Sequence, residues 1–359
     1  MSVLKQRPIL VVGLGPAGAA VANFLARLGL EVIAIDRSAE SQLSTRLRIG
    51  ESLPPDAKHL LKQLDVWQTF KAANHQKCYG NQAYWHTDKP TFHDFVQHPV
   101  GHGWHIDRAA FEQMLRDKAK SVGVAVHSNT SIGEMVRDGD VWQVELKSDD
   151  LCSNPREFSF VIDATGRQSW VARKLGIERL YEAEQLALVA FLQTSQDLKD
   201  STSLVETVEN GWWYSAQIPN GRVATAFMFA PSKQQQTVSS SVENWRSLLS
   251  QSQHTAERLG LVEGKCEFVL LAPPKIVAAD SGILQQVCGK GWLAVGDAAM
   301  TYDPIASHGL MMSMVSARDA AGAINGLIDG RDDTLGMYAQ RMCQSFMQYC
   351  ELRRGFYGV

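Results

Sequence analysis

The stretch Pro8-Ile9-Leu10-Val11-Val12-Gly13-Leu14-Gly15-Pro16-Ala17-Gly18, with Ala19 to Gly29 and then Glu31-Val32-Ile33-Ala34-Ile35-Asp36 behind it, decides the fold. The first apolar run is short and β-branched and lacks polar alternation, the pattern of a strand buried in a parallel sheet. Gly13, Gly15 and Gly18 follow at once in G-x-G-x-x-G spacing. Ala19 to Leu28 reads as a helix that Gly29 stops, and a second buried strand ends in Asp36. Gly13 makes the tight turn. Gly15 lets the backbone approach a pyrophosphate, whose charge the N–H groups and dipole of the helix start would hold; Pro16 and Ala17 belong to that start. Gly18 lets helix and strand pack closely. Asp36, with Arg37 beside it, can accept both hydroxyls of an adenosine ribose. A glycine turn between strand and helix is often only a turn. Strand, helix, second strand and terminal acid together predict a dinucleotide site.

The chain has 359 residues, 45% apolar and 20% charged, enough for a large core and for two domains or one domain with a lobe. A net charge of −3 gives no electrostatic reason to expect nucleic acid. No apolar run is long enough for a transmembrane helix, and the first residues lead straight into a strand, so no signal peptide is expected. Six scattered cysteines without C-x-x-C suggest reduced thiols in a cytoplasmic protein, with no metal and no disulfide framework.

Further on, Arg46-Leu47-Arg48-Ile49-Gly50-Glu51-Ser52-Leu53-Pro54-Pro55 precedes an expected amphipathic helix over Asp56 to Trp67. Read plainly, this is a loop with an N-cap at Ser52. Read functionally, Gly50-Glu51-Ser52 lies beside a cofactor ring with Arg46 or Arg48 near its phosphates. Asp107 is an expected N-cap for a helix from Ala109 to Ser121, just after Arg108. His102 and His105 read as loop histidines, since their spacing is not that of a helical metal pair. Short strands follow at 124–127, 133–136 and 141–146, the last two as a hairpin. Phe158 to Asp163 is another buried strand, ending in Asp163-Ala164-Thr165-Gly166. A series of strands at 186–191, 203–209, 212–218 and 223–229, with a hairpin turn at Asn220-Gly221, predicts an inserted antiparallel sheet. Trp212 and Trp213 must face opposite sides of it. Gly291 to Ala299 returns to the first sheet with Gly296 and Asp297 in its turn. Asp303-Pro304-Ile305-Ala306-Ser307-His308-Gly309 then opens a long helix from Leu310, whose start offers N–H groups to an anionic group. A last helix is expected over 333–351.

Four segments in this order resemble the FAD-dependent oxidoreductases of the aromatic hydroxylase and tryptophan halogenase group: Gly13-x-Gly15-x-x-Gly18 with Asp36; Gly50-Glu51-Ser52-x-x-Pro55; Asp163-Ala164-Thr165-Gly166-Arg167; and Gly296-Asp297-Ala298-Ala299 with Asp303-Pro304 and Gly309. The resemblance implies an α/β fold: a Rossmann-like FAD-binding domain carrying an inserted antiparallel sheet as substrate domain. It divides the chain into FAD-binding parts 1–75, 101–180 and 276–359, the last with the C-terminal helices, and substrate-side segments 76–100 and 181–275. It places the FAD pyrophosphate on Gly13, Gly15 and Gly18, the ribose on Asp36, and the ribityl-pyrophosphate region on Asp297. Pro304 and Gly309 would border the isoalloxazine, within Ser307 to Leu310, and Glu51 and Ser52 would sit at the ring edge. Arg37, Arg46, Arg48, Arg108, Thr165 and Gly166 complete the expected cofactor set, and Glu51, Ser52, Pro304 and Gly309 the expected catalytic one.

Gly101-His102-Gly103-Trp104-His105-Ile106-Asp107-Arg108, Gly211-Trp212-Trp213-Tyr214-Ser215 and Gly291 to Ala299 are similar to LodB/GoxB-like flavoproteins. Those act on a partner polypeptide in building cysteine tryptophylquinone within an amino-acid oxidase. The resemblance therefore implies hydroxylation of a tryptophan in a precursor of a quinone-cofactor oxidase; no second dinucleotide fold is visible in the sequence, which leaves NAD(P)H bound transiently or a separate reductase as alternative electron donors. Two alternatives stay open: a small-molecule aromatic hydroxylase or halogenase, and a flavin-bearing assembly factor. Halogenases carry W-x-W-x-I-P; here Ile218-Pro219 is present, but the tryptophans sit at 212 and 213, and Tyr214 and Ala216 stand at the motif's two tryptophan positions. Lys77, in a comparable place to their lysine, has poorly matching neighbours and reads as a surface residue. Halogenases also continue with C-terminal helices over the substrate, so this side of the flavin is expected to be barer.

Overall fold

The computed structural model describes residues 6–43, 47–148, 155–194, 201–231, 237–260, 268–331 and 333–358. Arg46 lies outside the described residues.

The opening stretch forms strand Ile9–Val12, helix Pro16–Arg27 and strand Val32–Ile35, every strand residue buried. Ile9–Val12 lies at the centre of a six-stranded sheet. On one side of it runs Val32–Ile35 and then Ala125–His127; on the other, Phe160–Asp163 and then Trp292–Ala294, all parallel. Cys288–Gly289 adds an antiparallel edge. Helices Pro16–Arg27, Arg108–Ser121 and Gly309–Ile328 pack on this sheet through the main core cluster. The carboxyl ends of the parallel strands, where open α/β sheets bind ligands, carry Gly13, Asp36, Asp163 and Val295.

An eight-stranded sheet stands against the first. Its order is Phe268–Leu270, Leu186–Thr194, Arg222–Phe229, Gly211–Ile218, Ser203–Val208, Gly80–Tyr84 and Thr91–Asp94, with Lys275–Ala278 also paired to Leu186–Thr194. It is antiparallel except where Gly80–Tyr84 joins Ser203–Val208 in parallel. Asn220 and Gly221 both take positive φ, as the hairpin requires. The hairpin Ser131–Asp138 with Val141–Lys147 also forms as expected.

Several expectations are corrected. Helix Ala57–Gln63 ends early because Asp65 turns left-handed at φ 57, which lets Leu64 and Val66 both point inward; a second helix, Trp67–Ala72, follows. Ser52 is not an N-cap: it lies in the short strand Ser52–Leu53, paired to Gly103–His105. His105 is accordingly a fully buried strand residue and not a loop histidine. The last helix runs further than expected, Thr334–Tyr357.

Candidate active site

A cleft of about 620 Å³ runs from the glycine turn to the inner face of the eight-stranded sheet. At one end Gly13 adopts φ +100, and a Cβ there would meet the Ala164 carbonyl oxygen at 2.4 Å. A Cβ on Gly18 would come 1.9 Å from the Gly13 carbonyl oxygen, so the helix can approach the turn only with glycine. Beyond Gly15 nothing lies within 4 Å. Backbone there, at the start of a twelve-residue helix, faces open space in the cleft. These are the features that a diphosphate requires.

Asp36 lies beside this turn. Its Oδ2 accepts the Leu14 N–H at 2.9 Å and Arg116 Nη2 at 2.8 Å, and its Oδ1 accepts the Ser38 N–H at 2.8 Å. Burial favours the neutral acid, but the Arg116 guanidinium and the two amides outweigh it and hold the carboxyl below its ordinary value. Asp36 thus stays an anion facing the cleft.

Helix Arg108–Ser121 supplies a polar stripe that no sequence motif announced. Arg108, Glu112 and Arg116 are four residues apart and so share a face. Arg108 Nη1 donates to the carbonyls of Ile49 and Gly50, fixing the Gly50 turn at φ +96. Glu112, 4% exposed, takes Arg108 on Oε1 at 2.7 Å and Arg48 on Oε2 at 2.8 Å. Arg48 is thereby held at the cleft wall. Asp107 caps the helix as expected, accepting the Ala109 and Ala110 N–H groups, and also pairs with Arg222 at 2.6 Å.

Glu51 is 1% exposed and lines the cleft. Its Oε2 accepts the Gly50 N–H at 3.0 Å, while Oε1 accepts no hydrogen bond among the described residues. Burial drives its pKa up to about 7; the Arg108 charge and nearby amides oppose this without cancelling it. Ser52 Oγ lies 3.0 Å from the Tyr214 hydroxyl, which burial keeps protonated. Tyr214 is the aromatic of the Trp212-Trp213-Tyr214 run that reaches the cleft. Trp213 faces the far side of the sheet, against Phe227 and Trp245. Trp212 shares Tyr214's face but is buried beneath Tyr357. The last helix thus lies over Trp212 on this face of the sheet.

Thr165, Gly166, Asp297, Pro304, Ser307, Gly309 and Leu310 all line the cleft, as do Pro16, Ala17 and Arg37. Gly18 packs behind the turn. Gly296 gives its N–H to Ser316 and lines a smaller adjoining hollow, and His308 points elsewhere than into the main cleft. Asp163 does not face it either: its carboxylate accepts the Thr165 N–H and hydroxyl and the Ala172 N–H, which shapes the turn. Ala187, Met228, Val277, Ala278 and Ala279 make the sheet side of the cleft apolar.

A Rossmann-like sheet with a tight glycine turn, an anionic aspartate beside it and a cleft running on beneath a second sheet is the frame of a dinucleotide-binding protein. Consistent with this, residues 6–348 match the FAD binding domain family, and the chain belongs to it. It is an enzyme whose cofactor is FAD. It is 26% identical over 351 residues to the FAD-dependent oxidoreductase LodB of Marinomonas mediterranea, covering 96% of this chain and 91% of that one. It is also 26% identical to a 1H-pyrrole-2-carbonyl-[peptidyl-carrier protein] brominase of Pseudoalteromonas luteoviolacea, covering 95% and 82%. The solved structure of CmlS, a flavin-dependent halogenase, superposes with a TM-score of 0.86 at 26% identity, over 98% of this chain and 64% of that one. Among the described residues no helix is long and apolar enough to cross a membrane.

Proposed function

We propose that this FAD-dependent oxidoreductase is a monooxygenase-type enzyme that hydroxylates a tryptophan side chain of a precursor protein, in the cytoplasm, during cysteine tryptophylquinone formation. The observation that carries this reading is the match to LodB along nearly the whole of both chains. The three LodB/GoxB-like strings support it. In this reading Gly13, Gly15, Pro16, Ala17 and Gly18 form the pyrophosphate cradle, with Arg48 opposite, and Asp36 takes the ribose. Arg37, Arg108, Thr165, Gly166, Gly296 and Asp297 complete the cofactor wall. Pro304, Ser307, His308, Gly309 and Leu310 form the turn at the ring, and its edge lies at Gly50, Glu51 and Ser52.

Reduced FAD, held by these residues, would supply the two electrons needed to activate dioxygen for insertion of one oxygen atom into the substrate, the other leaving as water. The chain's own work is to orient the indole, exclude water and manage protons. Glu51, poised near neutrality, can give or take a proton at Oε1. Ser52 and Tyr214 present hydroxyls beside it. The N–H groups at Gly309, on the first turn of a twenty-residue helix, favour negative charge at the ring.

A small-molecule halogenase is the second reading, favoured by the brominase relative. Against it, no lysine stands among the described residues lining the cleft, and Lys77 is exposed on the strand Gln76–Cys78, outside that lining. The test is mass analysis of a precursor oxidase co-expressed with and without this protein. An added oxygen on a precursor tryptophan, lost when Gly309 is replaced by a bulky residue, is the expected result. An unmodified precursor together with turnover of a free aromatic refutes the proposal; an ordered precursor with no flavin turnover favours the assembly factor.

A further inference from the structure

Three side chains of the last helix, Tyr349, Arg353 and Tyr357, recur every four residues on one face, and all end on Asp303. The Tyr349 hydroxyl accepts the Asp303 N–H at 2.7 Å. Arg353 Nε donates to Asp303 Oδ2 at 3.1 Å, and the Tyr357 hydroxyl donates to the same oxygen at 2.9 Å. Oδ1 accepts the Ile305 N–H at 3.0 Å and so caps the tight turn Pro304–Ala306. Asp303 is 1% exposed and lines the cleft, and the turn continues through Ser307, left-handed at φ 50, to Gly309.

The Tyr357 hydroxyl is saturated. It accepts from Trp212 Nε1 at 3.0 Å and from Gln185 Nε2 at 3.2 Å. Those nitrogens only donate, so the one phenolic proton is directed to Asp303. The Arg353 guanidinium lies 4.5 Å from the centre of the Tyr357 ring and fixes its plane. One hydroxyl therefore joins the last helix, the inner face of the eight-stranded sheet and the turn before Gly309.

We infer that Tyr357 is a positioning residue: acting through Asp303, it sets the turn 303–309 against the bound cofactor and locks that turn to the sheet on the substrate side. With its proton and both acceptor positions committed, the Tyr357 hydroxyl has one low-energy arrangement, which is what a turn needs to present its backbone in a fixed place. This inference rests on the reading in which Pro304 and Gly309 border the flavin ring.

The experiment compares the FAD-loaded protein with its Tyr357→Phe, Asp303→Asn, Trp212→Phe and Pro304→Ala variants. FAD dissociation constants, the visible band of the bound flavin and amide exchange at 305–307 are recorded. Tyr357→Phe is expected to weaken FAD about fivefold, shift the band and speed exchange at 305–307. Added to Asp303→Asn, it is expected to change nothing further, because both act through one bond. Trp212→Phe, which keeps that bond, is expected to leave the band in place. Wild-type affinity, band and exchange in Tyr357→Phe, while Pro304→Ala alters the flavin, overturns the inference and spares the ring placement. A flavin indifferent to Pro304→Ala overturns the ring placement. Should Tyr357→Phe fail to fold, Arg353→Gln tests the same carboxylate with the same expected signs.

Discussion

Replacing Glu51 by glutamine isolates the cost of one buried carboxylate. The glutamine keeps the shape and removes the charge. In the folded chain the Glu51 pKa rises from 4.5 to about 7, first because burial strips its water, with Arg108 and the Gly50 amide offsetting only part. An acid that holds its proton more tightly when folded contributes full stability below its unfolded pKa and loses that contribution as pH rises through the folded one. The window is therefore from 4.5 to about 7. At about 1.4 kcal/mol per pH unit, the loss across it is about 3 kcal/mol. Urea titrations of cofactor-free wild type and Glu51→Gln on either side of that window measure it. Groups common to both proteins cancel in the difference. Wild type is expected to lose about 3 kcal/mol more than the variant as pH rises. Parallel pH profiles would refute the claim that burial raises the Glu51 pKa.

Glu112→Ala leaves Arg48 and Arg108 without their shared carboxylate, and a loss of about 3 kcal/mol is expected in chemical denaturation, with weaker FAD binding; unchanged stability would show the pair to be ornamental. Gly18→Ala drives a methyl into the Gly13 carbonyl, so no yellow protein is expected on purification, and a normally loaded variant would contradict the packing described. With reduced flavin, oxygen, bromide and a tryptophan peptide, no brominated product is expected; a product abolished by Lys77→Ala would reverse that reading.

Most of the parallel sheet was legible because four of its five parallel strands are buried apolar runs that end in or just before glycine or aspartate, and their carboxyl ends reach the cleft wall or shape it; Ala125–His127, short and partly exposed, lacks that pattern. The sequence also placed Trp212 and Trp213 on opposite faces, since strand alternation alone requires it. The Glu112 bridge was not legible. Its members come from a loop and a helix, and helical spacing in Arg108–Ser121 does not say which face meets Arg48. The Asp56 to Trp67 helix was overextended because its apolar pattern continues through Leu64 and Val66, while only tertiary burial makes Asp65 turn left-handed. Ser52 read as a cap because its partner strand, Gly103–His105, lies some fifty residues away. The grip on Asp303 escaped for the same reason: Tyr349, Arg353 and Tyr357 are ordinary helix residues until the helix is docked.

The way the two sheets share the chain bears on how the molecule is made. The eight-stranded sheet takes strands from Gly80–Asp94, then from Leu186–Phe229, then from Phe268–Ala278; strands of the parallel sheet precede the first visit, separate it from the second and follow the third. During synthesis Ile9–Val12 emerges before every other strand described, yet its sheet gains Trp292–Ala294 only after the whole of the eight-stranded sheet's chain has followed. Apart from the hairpins, such as Gly211–Ile218 with Arg222–Phe229, the pairings in both sheets are distant in sequence, and loop closure must precede their reward. Slow folding, with exposed strand edges for much of translation, follows from this interleaving. For the same reason, a fragment cut at any one crossing would carry two unfinished sheets.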